Sequence, residues 1–330
     1  MELAIKLFKG QGLGNQIFCI TSLYKLSLLL KRKPVIFNYS NYKGEEFLPL
    51  NNSIFRFYEN NLEHEFEIIN DSVEEEIFSG LDKTDHKNFI YALFKSKSPR
   101  LLLNGNLQNE FFIPSKEELF KIFPSLLALN NPKEYKASKE ILIHIRGGDY
   151  KKTLAKATKG FYTNSIKFLE SNLHSNLKKF IVCDDHIYAK SLLKEIPIIS
   201  SSQKDNSDKR KAKHHLGYSI KKDFEYLIKA KYAIIPASTF SFWARIFAHA
   251  ISKDVITIAP LNWYGFRLGN KFFSPLRYTY KEFKYIDKNG NIHNYENIIE
   301  NYKNYFCLKN IKLHSKIRTT LNILIINLFK

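Results

Sequence analysis

The residues best equipped for chemistry lie in His144-Ile-Arg146-Gly147-Gly148-Asp149-Tyr150, directly after the apolar run Ile141 to Ile145. Strand alternation puts His144 and Arg146 on one face. An arginine at the C-terminal end of a strand can chelate a diphosphate bidentately, and Gly147 and Gly148 would let the backbone approach a ligand closely. The competing reading is an Arg–Asp pair that ties down a turn. Three groups could accept the proton of an attacking hydroxyl: Asp149, His144 and Glu110, with Asp149 ranked first.

Other polar groups stand where strand patterns give way to helix patterns. The loop Gly10-Gln-Gly12-Leu-Gly14 lacks the glycine spacing of a dinucleotide fingerprint and the Lys-Ser or Lys-Thr of a phosphate loop. It does precede a helix N-terminus, whose N–H groups attract phosphate, with Asn15 and Gln16 adding amide donors and acceptors there. Ser238, Thr239 and Ser241 could hold a β-phosphate or simply cap a helix. Asp184 and Asp185 end another strand, where they could hold a ribose or shape a cleft. His214-His215 sits in a Lys-rich segment and reads as surface. No Asp-x-Asp triplet, a common metal clamp for a diphosphate, occurs anywhere, and Arg146 is a cation that could offset such a group instead.

The elements that position these groups read as alternating strands and helices. A β-rich run at 3–8, a helix from Asn15 to about Lys31 and a second β-rich run at 35–39 have the rhythm of a parallel sheet. Residues 41–130 are less legible, with a short strand at Leu101–Leu103 and a short helix at Lys116–Phe123. After Asn130-Asn-Pro132 the alternation resumes through strands ending at Ile145, Cys183, Pro236 and Ala259, with helices between. Residues 200–215 read as a polar, basic loop without periodicity.

These patterns divide the chain into an N-terminal α/β domain at 1–135, a C-terminal α/β domain at 136–290 and a basic, amphipathic helical tail at 291–330. In the tail Ile317, Leu321, Leu324, Ile325 and Leu328 share one helical face, which suits an interfacial helix or a core-packing one. Two such domains should face each other across a cleft, with ligand at the carboxyl ends of the strands.

The bulk properties narrow the class. The 330 residues are 44% hydrophobic, which suits packed cores and excludes global disorder. The formal charge of +19 favours an anionic partner: a nucleotide phosphate, an acidic membrane or nucleic acid. No base-stacking motif in register supports nucleic acid, so that reading stands as the alternative from another class. Three distant cysteines indicate a reducing, cytoplasmic setting. The apolar stretch Ile17–Leu30 is interrupted by Lys25, against a signal peptide or spanning helix.

The segment at 144–150 resembles the His-x-Arg-Arg-Gly-Asp-Tyr motif of glycosyltransferase family 11, the α-1,2-fucosyltransferases. Gly12-Leu-Gly-Asn-Gln16 is similar to that family's N-terminal Gly-Leu-Gly-Asn-Gln loop, and Ser238-Thr-Phe-Ser-Phe-Trp243 to its Ser-Thr-Phe-Ser-Trp-Trp segment. Weaker echoes at 106–111, 184–185 and 256–264 extend the resemblance over roughly residues 3–265.

The resemblance implies a GT-B fold: two Rossmann-like domains, donor held mainly by the C-terminal one, acceptor on the N-terminal side. It also implies inverting transfer of L-fucose from GDP-fucose to a sugar hydroxyl, α-1,2 linked, with no metal and no cofactor beyond that donor substrate. Arg146, Asp149 and His144 become the catalytic set. The donor-binding set is Asp223, Ser238, Thr239, Ser241, Asp184, Asp185, Gly12, Gly14 and Asn15. Related fucosyltransferases have an aspartate at the place of Asp223 that reads guanine, whose adjacent ring N–H and NH₂ donors suit a carboxylate. The residue itself could equally serve as a helix cap or first-turn charge. The implied acceptor is a glycan or lipid-linked glycan of the cell surface, met by a protein peripheral on the inner membrane. Gly147 stands where the family has a second arginine, which admits another GDP-sugar as donor; a pocket of family geometry would accept arginine there.

Overall fold

The computed structural model describes residues 1–70, 89, 92–108, 112–129, 138–152, 156–173, 177–204, 212–215, 219–261, 266–268, 271–273, 279–287 and 289–298. The first sheet is built from β1 (Glu2–Lys6), β2 (Lys33–Phe37), β3 (Arg56–Tyr58), β4 (Glu67–Asn70) and β5 (Arg100–Asn104), in the order β3-β2-β1-β5-β4. Every pairing in it is parallel. Between β1 and β2 runs α1 (Leu13–Leu30). Two short helices, α2 (Lys116–Ile122) and α3 (Ser125–Leu129), follow β5; α2 opens with a full capping box between Ser115 and Glu118.

The second sheet carries β6 (Ser138–Ile145), β7 (Lys179–Cys183), β8 (Ile198–Lys204), β9 (Ala212–His215), β10 (Ala230–Ile234), β11 (Ile256–Pro260), β14 (Lys284–Ile286) and β15 (Ile292–His293). Its order is β15-β14-β11-β10-β6-β7-β8-β9, parallel except for the outer pairs β8–β9 and β14–β15. β12 (Phe266–Leu268) and β13 (Lys271–Phe273) form a separate antiparallel pair. The connecting helices are α4 (Lys159–Leu173), α5 (His186–Leu192), α6 (Ile220–Lys229) and α7 (Thr239–Ile251). Two parallel α/β units in one chain match the GT-B arrangement. Residues 200–215 depart from the loop expectation: Ser201 to Lys204 pair with Ala212 to His215 as an antiparallel edge, which short polar strands form without hydrophobic alternation.

The units do not merely face each other. α1 packs directly on α7, with Phe18 stacked against Phe242 at 5.7 Å and edge-on to Trp243 at 4.9 Å. One continuous core therefore runs from Leu3 and Ile5 in the first sheet through Ile17 and Phe18 to Phe242, Phe247 and Leu142 in the second. This explains why α1 is apolar on nearly every face: one side covers its own sheet and the other covers α7. The helix is long and apolar enough to cross a bilayer by composition, yet most of it is buried in the fold.

Candidate active site

Because βα units place helix N-termini at the carboxyl ends of parallel strands, the two units bring their strand-to-helix turns together. Gly14, in the first turn of α1, lies so close to α7 that a Cβ there would sit 2.3 Å from the Thr239 carbonyl carbon and 2.5 Å from the Phe240 nitrogen. The glycine therefore serves the contact between two helix starts. Neither α1 nor α7 has an acidic residue in its first turn, and neither cap residue, Gly12 or Ser238, makes a side-chain cap hydrogen bond. Two uncapped, positively polarised helix ends thus converge.

Side chains knit this junction. Asn15 Oδ1 accepts from Thr239 Oγ1 at 2.9 Å and from Gln108 Nε2 at 2.8 Å, which fixes its amide with Nδ2 as the outward donor. Ser241 donates to the Ser238 carbonyl at 3.3 Å. Thr239 and Ser241 are therefore engaged within the protein, leaving Ser238 and the backbone N–H groups as the donors of this turn. Gln16 is fully buried and bridges the loop after β2, donating to the Asn41 carbonyl at 2.7 Å and accepting from the Lys43 N–H at 3.0 Å. Its expected ligand role is replaced by a structural one.

Arg146 leaves β6 at the same rim. Its Nη1 lies 2.6 Å from Asp184 Oδ2, and its guanidinium sits over the Tyr150 ring at 5.3 Å. Asp184 Oδ1 accepts from the Gly147 N–H at 2.5 Å. Burial raises the Asp184 carboxyl above its ordinary range while Arg146 and Gly147 pull it back. Asp185 caps α5 by accepting from the Tyr188 N–H at 2.9 Å, and pairs with Lys151 at 2.5 Å. Both carboxylates were expected against the donor; both are spent on the protein. The Arg–Asp pair present joins the ends of β6 and β7 through Asp184, and not the turn at 146–149 within one motif.

The same clamp explains the missing second arginine. A Cβ on Gly147 would lie 2.6 Å from Asp185 Cβ and 2.9 Å from the Tyr188 ring, and one on Gly148 would lie 2.8 Å from Asp184 Oδ2. Arginine at 147 does not fit this turn, contrary to the expectation that it would be accepted. Asp149 opens a 3₁₀ turn, Asp149–Lys152, but its side chain lies outside the described residues, as do Glu110 and the tail beyond Ile298. His214 and His215 lie on β9, with side chains likewise outside the description.

His144 does not have the access a catalytic base needs. It is 5% exposed, its ring lies 6.0 Å from Phe240, and burial together with the Arg146 charge lowers its pKa to about 3. It is a neutral imidazole whose Nδ1 is buried without a hydrogen-bond partner. The register places His144 beside Val182 and Val182 beside Ser200, so the three share one row and one face of the sheet. Ser200, which lies in no motif, is 1% exposed with an unpartnered hydroxyl. Asp223, in the first turn of α6, lies beside it: Asp223 is 4% exposed, its Oδ1 is unpartnered, and burial pushes its pKa up to about 7. The Ser200 hydroxyl opposes that rise without reaching hydrogen-bond geometry. The cap of α6 is Ser219, which accepts from the Lys222 N–H, so Asp223 is not the cap. Among the described residues no group of three His, Cys, Asp or Glu side chains could hold a metal.

The model of glycosyl transferase family 11 matches residues 86–287, more than half of the chain. The chain belongs to glycosyl transferase family 11. The matched span of this family-11 glycosyltransferase contains the Arg146 turn, the His144–Ser200 row, Asp223 and the start of α7, together with β5 of the first sheet. No curated protein sequence matches the chain. Among solved structures it is similar to the fucosyltransferase NodZ from Bradyrhizobium, with 13% identity over 74% of this chain and 93% of that one at a TM-score of 0.43. It is also similar to the E. coli heptosyltransferase WaaC with ADP, at 11% identity over 84% and 94% and a TM-score of 0.39. POFUT1 in complex with GDP-fucose gives 13% identity over 77% and 94%, with a TM-score of 0.38.

Proposed function

We propose that this family-11 enzyme transfers L-fucose from GDP-fucose, with inversion, to a sugar hydroxyl of a surface glycan or its lipid-linked precursor, forming an α-1,2 linkage. The observation that carries the reading is the meeting of two uncapped helix N-termini, α1 at Gly14 and α7 at Thr239, on the rim that also bears Arg146. Each helix end acts as roughly half a positive charge. Together with the guanidinium they offset a diphosphate without requiring a metal.

The site's residues then divide the reaction between them. As the acceptor oxygen attacks the anomeric carbon and the bond to the β-phosphate breaks, negative charge grows on the phosphate oxygens. Arg146, the Ser238 hydroxyl, the N–H groups of α7 and the fixed Asn15 amide stabilise that charge, which is where electrostatic catalysis contributes most. His144, being neutral and enclosed, leaves the catalytic set and joins Asp223 and Ser200 in holding the nucleoside. Asp149 is the proposed acceptor base. The first sheet offers the acceptor side, and the basic tail the peripheral contact with acidic lipid on the cytoplasmic face.

The absence of space for an arginine at 147 favours one second reading, a family-11 enzyme using another GDP-sugar. A screen of donor turnover with GDP-fucose, other GDP-sugars and UDP-sugars, run with a chelator, separates the two. Turnover of GDP-fucose with inversion at the anomeric carbon is expected. Turnover of a different GDP-sugar selects the second reading, and turnover of UDP-sugars overturns the nucleoside assignment.

A further inference from the structure

Asp184 meets the Arg146 guanidinium, and it does more than neutralise it. One oxygen takes Arg146 Nη1 at 2.6 Å, the other takes the Gly147 N–H at 2.5 Å, and the side chain is only 16% exposed. A single carboxylate therefore fixes both the arginine and the backbone that carries it. Tyr150 closes the face of the guanidinium at 5.3 Å. The glycines that follow are shaped to this carboxylate pair: Gly148 leaves room for Asp184 Oδ2, and Gly147 for Asp185 Cβ and the Tyr188 ring.

We propose that Asp184 is a positioning residue for the transfer reaction, acting on the donor only through Arg146. The inference rests on the reading of Arg146 as a diphosphate ligand. A flexible arginine loses rotamer freedom when it grips phosphate; one already held by Asp184 and Tyr150 does not. Charge alone argues the other way, since removing a carboxylate beside an anion site should tighten anion binding. The sign of the change therefore decides between pre-organisation and simple electrostatics.

The test is a double-mutant cycle of Asp184→Asn with Arg146→Lys, read first as affinity for inorganic pyrophosphate and then as kcat and KM for GDP-fucose. Asparagine keeps an oxygen for the Gly147 N–H but turns an NH₂ toward the guanidinium. In the native background Asp184→Asn is expected to weaken pyrophosphate binding about tenfold and to lower kcat at least as much, the range of a lost charge-assisted hydrogen bond. In the Arg146→Lys background the same substitution should change either quantity less than about twofold, because the group through which it acts is gone. Asp184→Glu, which keeps the carboxylate, should recover part of the loss. Tighter pyrophosphate binding by Asp184→Asn, or an equal loss in both backgrounds, would overturn the proposal. A normal cycle on pyrophosphate with no GDP-fucose turnover by the native enzyme would uphold it while sinking the substrate reading.

Discussion

Two buried polar clusters lie in the same half of the molecule and treat their polar atoms in opposite ways. The first is centred on Arg245, which is fully buried in α7. Its guanidinium donates to Thr257 Oγ1 at 2.8 Å, to the Leu227 carbonyl at 2.5 Å and to the Ala230 carbonyl at 2.7 Å, and His249 meets the same threonine at 3.0 Å. It ties the C-terminal end of α6 to β11. The second is the row of His144, Ser200 and Asp223, where one atom of each is buried without a partner. Both clusters contain a histidine lowered to about 3 by burial and a neighbouring arginine. What separates them is satisfaction. An unmet buried polar group costs about 1 to 3 kcal/mol; on the reading proposed above, the ligand supplies the partners missing from the second cluster.

The largest expected effect strikes the satisfied cluster. Arg245→Leu takes this donor from three carbonyls, those of Leu227, Ala230 and Ile256, and from Thr257, and should reduce stability by about 3 to 5 kcal/mol, the cost of breaking a buried polar network. Chemical denaturation measures it, and the folded fraction should still bind GDP with native affinity. The smallest effect strikes the unsatisfied one. His144→Phe exchanges an unpartnered imidazole for an apolar ring of similar shape and should shift unliganded stability by less than about 1 kcal/mol, in either direction, while weakening GDP. If His144→Phe instead destabilises as strongly as Arg245→Leu, the row is scaffold too, and the contrast between the clusters collapses.

Much of the fold was legible because hydrophobic periodicity survives in one sequence. The runs ending at Ile145 and Cys183 and the helix from Phe240 to Ile251 all lie within elements of the structure, with boundaries moved by a few residues. The β8–β9 edge was illegible because its strands are polar and short, and pairing there rests on backbone hydrogen bonds that leave no pattern in side-chain type. Part of the layout was legible through motif spacing, since Arg146 follows β6 and Ser238 follows the neighbouring parallel strand β10. The division of labour within it was not. Asp184, Asp185, Gly14 and Gln16 are polar or small residues at turns, a pattern equally suited to holding a ligand or holding the chain, and only the partner across the fold decides. Ser200 carried no signal, because a serine in a strand becomes notable only when burial and register set it beside Asp223.

Whether the unmet row holds guanine is decided by titrating GDP and UDP calorimetrically into the native protein and into Asp223→Asn. The folded pKa of Asp223, about 7, lies above the ordinary carboxylate value, so the unliganded protein holds a proton there that the unfolded chain gives up. That contribution to stability is present at low pH and declines as pH rises from about 4 to about 7. Guanine donors pair with the ionised form, so native affinity for GDP should rise as pH passes through about 7, with proton release on binding. Asp223→Asn should abolish both the pH dependence and the proton release, and weaken GDP by about 2 to 4 kcal/mol while leaving weak UDP binding unchanged. Equal losses for GDP and UDP, or a pH-independent native affinity, would contradict the account.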